Sequence, residues 1–123
     1  MDSEGATDWW VACLCAGWCG VCRDWRPLFD EAARAHPALR FAWVDVEDEA
    51  EAMGDVEIDT FPTLLVARGS QALFLGAIPP TASQLARLVA SLLAQPQPSL
   101  TLPPEAGPLL QRLKTQVFAR TAI

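Results

Sequence analysis

The spacing of apolar and polar residues varies along the chain, and each type of spacing predicts a strand or a helix. Residues 9–16 (WWVACLCA) form an unbroken apolar run of strand length, typical of a strand buried on both faces. Residues 21–36 carry apolar side chains at helical spacing, and Pro27 within that pattern predicts a kink or a restart of the helix. Residues 41–46 (FAWVDV) predict a second strand. Strand, helix and strand in this order indicate a parallel pair with a right-handed crossover.

The second half of the chain predicts a hairpin followed by a helix. Strands over residues 63–68 (TLLVAR) and 72–78 flank a turn at Gly69, which favours an antiparallel pair. Residues 83–94 place their apolar side chains on one helical face, with Ser83 as the N-cap. The order β-α-β-β-β-α, with a short acidic helical or loop segment after the second strand, predicts an α/β protein. Its centre is a mixed four-stranded sheet flanked by helices.

One domain and an extension account for the 123 residues. Residues 1–8 are small and polar and predict a flexible lead-in, and residues 9–95 predict the folded domain. Residues 96–108 are rich in proline, which predicts a semi-rigid linker without regular structure. Residues 109–123 predict a C-terminal helical extension.

The formal net charge of -6 argues against nucleic-acid binding, because contacts with phosphates need clustered Lys and Arg. Residues 45–59 hold eight carboxylates and no base, which indicates a solvated acidic segment or, as the alternative, a surface that steers a basic partner. Residues 1–12 lack the pattern of a secretory leader, and no apolar stretch is long enough to cross a bilayer. We therefore expect a cytoplasmic protein with no nucleic-acid or membrane partner.

The cysteines are candidate chemistry, because four of them fall within ten residues and form no framework of a secreted scaffold. Cys19 and Cys22 stand at the predicted junction of strand and helix. There the helix N-terminus stabilises a thiolate at Cys19, and a thiolate is the species that attacks a disulfide. Cys22, one turn later, can resolve the mixed disulfide, which leaves Cys19 and Cys22 joined. The pattern predicts thiol–disulfide exchange.

Two alternatives concern all four cysteines. The spacing C-x-C-x3-C-x2-C could supply four sulfurs to zinc, but wrapping Cys13 and Cys15 around an ion would break a buried strand. We therefore expect no metal and no bound cofactor. Cys13 and Cys15 fit the role of small apolar residues, and a disulfide between them is not expected, since neighbours two apart on a strand meet the required geometry badly.

Several motifs resemble those of the thioredoxin family. Residues 16–22 (AGWCGVC) resemble the active-site motif, usually W-C-G-P-C, and Pro27 matches the family's helix-kinking proline. Residues 60–65 (TFPTLL) resemble the loop with a cis-proline that enters the third of these strands. The resemblance covers roughly residues 9–94 and implies a thioredoxin-like fold.

The resemblance also implies roles for site residues. Cys19 and Cys22 would be catalytic. The substrate-binding residues would be Trp18, Gly20, Val21, Phe61 and Pro62. Trp18 would shield the sulfur and offer an apolar surface, ordinary packing being its alternative role. A cis Pro62 would place the Phe61 backbone beside Cys19, where an extended substrate segment pairs with it.

The chain departs from the family pattern near the cysteines. Val21 stands in place of the usual proline, which alters the redox poise. Cys13 falls where the family carries a buried Asp, and Trp43 where it carries the Lys partner of that Asp. The proton-transfer carboxylate is therefore absent, so water or another group must deprotonate Cys22. His36, at the far end of the helix, is expected to cap it rather than act as a base.

The start of the chain departs as well, because the usual first β-α unit is missing from it. The strand at 41–46 then becomes an exposed edge, which proteins normally cover. We expect the helix over residues 109–121 to pack on the domain or, as the alternative, on a second subunit in a homodimer.

These residues together predict a protein disulfide oxidoreductase or reductase of thioredoxin type. Its partners would be protein disulfide substrates and an electron-donor reductase. The alternative is a thioredoxin-like interaction or assembly module with little general reductase activity.

Overall fold

A computed structural model describes residues 8–119, in which four strands and four α-helices are formed. The sequence predictions for residues 1–7 and 120–123 lie outside these described residues. The strands are β1 (Trp9–Cys15), β2 (Arg40–Asp45), β3 (Thr63–Arg68) and β4 (Gln71–Ala77). The helices are α1 (Gly20–Ala35), α2 (Ala50–Met53), α3 (Ala82–Ala94) and α4 (Ala106–Leu113), and α4 continues into a π-helical turn, Lys114–Phe118.

The sheet has the order β2-β1-β3-β4, which confirms the predicted mixed four-stranded sheet. Strand β1 pairs in parallel with β2 and antiparallel with β3, and β3 and β4 form the predicted antiparallel hairpin. Because β1 is central, all seven of its residues are buried. Strand β2 is an edge, and no described strand pairs with its outer side.

The two faces of the sheet carry separate cores, as the period of two along β1 requires. Val11, Cys13 and Cys15 face helices α1 and α3. Trp10 and Leu14 face the opposite side, with α2 and α4. The cysteines of β1 therefore lie on the same side of the sheet as the helix that carries Cys22.

The C-terminal extension packs on its own domain, which is the first of the two predicted alternatives. Its buried apolar residues are Leu109, Leu110, Leu113, Val117 and Phe118. The Phe118 ring stacks on Trp10 with centroids 4.1 Å apart. Arg112 Nε donates to the carbonyl of Ala52 at 2.7 Å, and its Nη2 donates to that of Met53 at 3.1 Å. The extension thus covers the face of the sheet that α2 alone would leave largely open.

Helix α4 begins at Ala106, three residues before the predicted start. Pro108 lies in the first turn of α4, where the missing N–H of proline costs nothing because it would have no partner in the helix. The proline-rich segment that precedes α4 is docked as well. The Ser99 amide donates to the Leu73 carbonyl of β4 at 2.8 Å, and Leu102 packs on the core.

Other helix ends refine the sequence predictions. Thr81, not Ser83, caps α3, and its hydroxyl accepts a hydrogen bond from the Gln84 amide at 3.2 Å. Helix α1 runs without interruption through Pro27, so the predicted restart is wrong. The His36 amide bonds the last carbonyls of α1, which confirms its capping role. No helix within the described part of the chain is long and apolar enough to cross a membrane.

Candidate active site at the start of helix α1

Cys19 occupies the junction at which the chain turns from β1 into α1. It is the N-cap residue of the helix, with extended backbone angles of φ -85 and ψ 122. Its amide donates to Ala16 O at 3.1 Å, and its carbonyl accepts from the Arg23 amide at 3.2 Å. The thiol is free and half-buried, and within the described residues its side chain makes no capping hydrogen bond. A free thiol is therefore held at the positive end of a 16-residue helix.

Cys22 lies one helical turn further on and is only 1% exposed. In this structure its sulfur is bonded to Cys15, with the two Cα atoms 5.9 Å apart. The expected Cys19–Cys22 pairing is therefore not the one present here, and the interpretation of Cys15 as merely a small apolar residue was wrong. The reason is geometric, since Cys15 ends β1 on the face that α1 covers. Alternation along β1 was the signal in the sequence that pointed to this contact.

Cys13 is the innermost sulfur, and its thiol lies 3.8 Å from Cys15 Sγ. Burial raises the pKa of the Cys13 thiol from 9.0 to about 12, while the Trp25 indole and the Arg26 guanidinium act weakly in the opposite direction. The Trp25 N–H has no hydrogen-bond partner of full geometry among residues 8–119. Cys13 therefore keeps its proton at neutral pH.

The surface around Cys19 is apolar and accessible. Trp18 is 63% exposed and its ring meets Phe61 edge to face, with centroids 5.8 Å apart. Its indole N–H donates to Glu47 Oε2 at 2.7 Å, which fixes the orientation of the ring. Val21 is exposed next to Cys22 in the sequence. Such a patch suits an apolar peptide segment better than a small polar molecule.

The remaining predicted site residues lie at the start of α1 and in the loop before β3. Gly20 is exposed and begins α1, and a Cβ added to it would meet only Arg23 Nη2, at 3.9 Å. The Phe61–Pro62 peptide bond is cis in the structure. Phe61 is half-buried against the same core cluster as Cys19, and Pro62 is buried. The two motifs that are distant in sequence therefore contact each other through the rings of Trp18 and Phe61.

Asp45 is a structural part of the site that the sequence analysis missed. Its Oδ2 accepts from the Gly17 amide at 3.0 Å, and its Oδ1 accepts from the amides of Glu47 at 2.9 Å and Asp48 at 3.1 Å. Asp45 pairs in register with Cys15, so the ends of two parallel strands meet here. The predicted acidic segment thus begins with a residue that holds the turn before Cys19. A Cβ at Gly17 would lie 3.1 Å from Asp45 Oδ2, so a larger residue there would push on the carboxylate.

A cleft of about 340 Å³ opens beside Cys22. Its lining residues are Ala16, Gly17, Cys22, Arg23, Arg26, Trp43, Asp45, Asp48 and Glu49. The Arg26 guanidinium lies 4.7 Å from the centre of the ring of Trp43, so a positive charge lies over this residue. Cys22 thus lines the same cleft as three acidic residues, Asp45, Asp48 and Glu49.

Zinc was the alternative use of the four sulfurs. Among residues 8–119, no group of three or more His, Cys, Asp or Glu side chains has an arrangement that could hold a metal ion. Cys19 is half-buried near the surface, and the other three cysteines, Cys22, Cys15 and Cys13, are buried.

The amino-acid sequence of the chain is similar to those of known proteins of one family. The family model described as Thioredoxin matches residues 4–91, which is more than half of the chain. Putative thioredoxin 2 of Streptomyces coelicolor is 39% identical over 69 residues, which cover 54% of this chain and 52% of that protein. Thioredoxin H2-1 of rice is 36% identical over 56 residues, which cover 46% and 41%. The chain thus spans about half the length of the curated relatives it matches.

Solved structures show the same fold. Oxidized mitochondrial thioredoxin 3 of Saccharomyces cerevisiae superposes with a TM-score of 0.61 at 23% identity, covering 74% of this chain and 85% of that one. Thioredoxin of Fasciola hepatica superposes with a TM-score of 0.63 at 23% identity, covering 73% and 84%. At these identities the likeness concerns the fold.

Proposed function

Because the chain belongs to the thioredoxin family, we propose that it is a thiol–disulfide oxidoreductase in which Cys19 attacks and Cys22 resolves. The observation that carries the proposal is the position of Cys19. It is a free, half-buried thiol at the N-terminus of a long helix, with a buried cysteine one turn behind it. Thioredoxin relatives support this activity at the level of the family.

The reaction needs both cysteines in the thiol form, with the Cys15–Cys22 bond open. Cys19 thiolate attacks one sulfur of a substrate disulfide, which breaks that disulfide and forms a bond from Cys19 to the substrate. The substrate's other sulfur leaves as a thiolate and takes up a proton. Cys22 thiolate then attacks Cys19 Sγ and releases the second substrate thiol. Two electrons pass to the substrate, and Cys19 and Cys22 end as a disulfide.

The helix supplies the electrostatics of the first step. The amides of the first turn of α1 have no partners within the helix, and the helix dipole adds positive potential at this end. Negative charge on Cys19 Sγ is stabilised there before the attack on the substrate.

The apolar surface selects the substrate. We propose that a protein segment in extended conformation lies against the backbone of Phe61 and across Trp18 and Val21. Support comes from the exposure of Trp18 and Val21 and from the edge-to-face contact between Trp18 and Phe61. Gly20 leaves space at the start of the helix, and Pro62 holds the Phe61 loop. A protein disulfide is thus the proposed substrate, and an external reductase the proposed electron donor.

Proton removal from Cys22 needs a route other than a buried acid. We propose that water in the cleft beside Cys22 takes this proton, with the carboxylates of that cleft as the next acceptors. Support comes from Cys22 lining a cleft that also holds Asp45 and Asp48. Placement of the protein in the cytoplasm stays a prediction from the sequence.

Reduction of insulin disulfides by dithiothreitol tests the proposal. Wild-type protein should accelerate it, and Cys19→Ser should lose that acceleration by more than roughly a hundredfold, because the attacking atom is removed. Cys13→Ser, a change outside the reacting pair, is the matched control and should keep the wild-type rate. A wild-type rate equal to that of Cys19→Ser would contradict the proposal. Binding of partners without reduction would then favour the interaction module.

A further inference from the structure

We propose that Cys15 is a second partner for Cys22, so that the Cys19–Cys22 disulfide passes inward to Cys15–Cys22 and Cys19 becomes a free thiol again. This inference rests on the proposed function, which forms the Cys19–Cys22 disulfide in the first place. We call Cys19–Cys22 the outer disulfide and Cys15–Cys22 the inner disulfide.

The geometry places Cys22 between two sulfurs. Cys22 and Cys15 are bonded in this structure, and their Cα separation of 5.9 Å lies within the range of ordinary disulfides. Cys19 stands three residues before Cys22, and residues three apart are neighbours on a helix surface. The same Cys22 sulfur can therefore join either partner by a change of side-chain rotamer, while β1 and α1 stay in place.

The transfer is an internal exchange with no net oxidation. Cys15 thiolate attacks Cys22 Sγ along the line of the outer disulfide, a Cys15–Cys22 bond forms and the Cys19–Cys22 bond breaks. Cys19 leaves as a thiolate at the helix N-terminus, where negative charge is stabilised. The proton that Cys15 loses equals the one that Cys19 takes up when it becomes a thiol. Electrons and protons therefore balance without another reactant.

Cys13 lies beside the inner disulfide but takes no part in it. Its sulfur is 3.8 Å from Cys15 Sγ and is not bonded to it. Cys13 is a free thiol in this structure, whereas Cys22 takes Cys15 as its partner. Cys13 and Cys15 lie on the same face of one strand and are equally buried. Cys13 is therefore the matched control for Cys15.

The inner disulfide changes what the oxidised protein can do. Cys19 is again a thiol and can attack a second protein disulfide, forming a mixed disulfide and releasing one substrate thiol. Cys22 is engaged with Cys15 and cannot resolve that species. The second substrate therefore stays attached until an external thiol releases it. The buried cysteines would thus convert a dithiol reductase into a protein that holds its substrate when oxidised.

A time-resolved peptide map tests the transfer. Reduced wild-type protein is oxidised with diamide, quenched at intervals with acid and N-ethylmaleimide, and digested with trypsin and chymotrypsin. Cleavage after Leu14, Trp18 and Arg23 separates the peptide 15–18 from the peptide 19–23. An outer disulfide stays within 19–23, whereas an inner disulfide links the two peptides and leaves the maleimide on Cys19.

We expect the outer disulfide to appear first and then to decline as the inner disulfide rises. Cys19→Ser should form the inner disulfide at least about tenfold more slowly, because direct oxidation replaces an intramolecular exchange of high effective concentration. Cys13→Ser should give the wild-type time course. Cys15→Ala, or Cys15→Ser if the alanine variant does not fold, should show only the outer disulfide.

Two results would overturn the inference. One is wild-type Cys15 carrying the maleimide at all times. The other is an inner disulfide that forms equally fast in wild type and in Cys19→Ser, since it would then not come from the outer one. Neither result concerns reduction of insulin, which tests the proposed function separately.

Discussion

The ring of Phe118 lies flat on that of Trp10, with an interplanar angle of 13° and centroids 4.1 Å apart. Trp10 belongs to the central strand β1, and Phe118 to the π-helical turn that follows α4. The two residues join the end of the described chain to its first strand. Val11 and Cys13, also in β1, face the other side of the sheet. The strand that carries the cysteines is therefore packed against other elements on both faces.

Phe118→Ala should therefore destabilise the domain by about 3 kcal/mol, because a fully buried ring and its stacking partner are lost. Urea unfolding under reducing conditions, followed by tryptophan fluorescence, measures this change. Leu100→Ala, in the exposed part of the linker, is the control and should shift the free energy of unfolding by less than about 0.5 kcal/mol. Equal midpoints for Phe118→Ala and wild type would show that the extension does not stabilise the domain.

Asp45→Ala should loosen the turn before Cys19, because three amide groups lose their acceptor. We expect a loss of about 1–2 kcal/mol in the free energy of unfolding, together with slower insulin reduction. Asp55→Ala changes an exposed residue of the same acidic segment and serves as the charge-matched control. If both variants lost the same stability, net charge rather than the Asp45 hydrogen bonds would be the cause.

Cys13 should give the reduced protein a specific sensitivity to alkaline pH. The folded state holds the pKa of this thiol near 12 and the unfolded chain near 9.0, so the unfolded state loses the proton first. The contribution of the Cys13 thiol to the free energy of unfolding is fully present below pH 9. It falls by about 1.4 kcal/mol per pH unit between pH 9 and pH 12.

Urea unfolding of reduced wild type and Cys13→Ala at pH 8 and pH 10 isolates this effect. The other titrating groups are common to both proteins, so the wild type should lose more stability between the two pH values. A parallel loss in both proteins would mean that Cys13 ionises in the folded state as it does in the unfolded chain.

Trp18→Ala should lower kcat/KM for insulin reduction by roughly tenfold, since about 1–2 kcal/mol of apolar contact with the substrate is removed. The thermal stability should change little, because Trp18 is mostly exposed. Leu93→Ala, another exposed apolar residue, controls for a general effect of surface hydrophobicity. An unchanged kcat/KM in Trp18→Ala would assign the ring to packing against Phe61 and its bond with Glu47.

The sequence predicted strands and helices correctly where its apolar residues recur clearly with the period of a strand, two residues, or of a helix, 3.6 residues. The bounds of β3 agree fully, and β1 and α1 end within one residue of their predicted limits. The start of α4 was missed because a proline in a sequence usually predicts the absence of helix. Pro108, however, lies in the first turn of α4, where proline is tolerated. Thr81 and Ser83 are both good caps, and sequence alone does not say which hydroxyl meets the helix.

The site was predictable where a local motif places residues, and less so where strands bring them together. Residues 16–22 predicted Cys19 and Cys22 on the helix start. The contact between Cys15 and Cys22 depends on which face of β1 meets α1, and the hydrogen bonds of Asp45 depend on the register of β1 against β2. The alternation of side chains along β1 indicated that Cys13 and Cys15 share one face. However, packing as small apolar residues explained both cysteines equally well.

Trapping of a substrate on Cys19 tests the central claim most directly. In Cys22→Ser, neither the outer nor the inner disulfide can form, so a mixed disulfide with insulin should accumulate. Intact mass and peptide mapping should place it on Cys19, and dithiothreitol should release it. The double variant Cys19→Ser/Cys22→Ser should form no adduct. An adduct on Cys13 or Cys15, or none in Cys22→Ser, would contradict the assignment of Cys19 as the nucleophile.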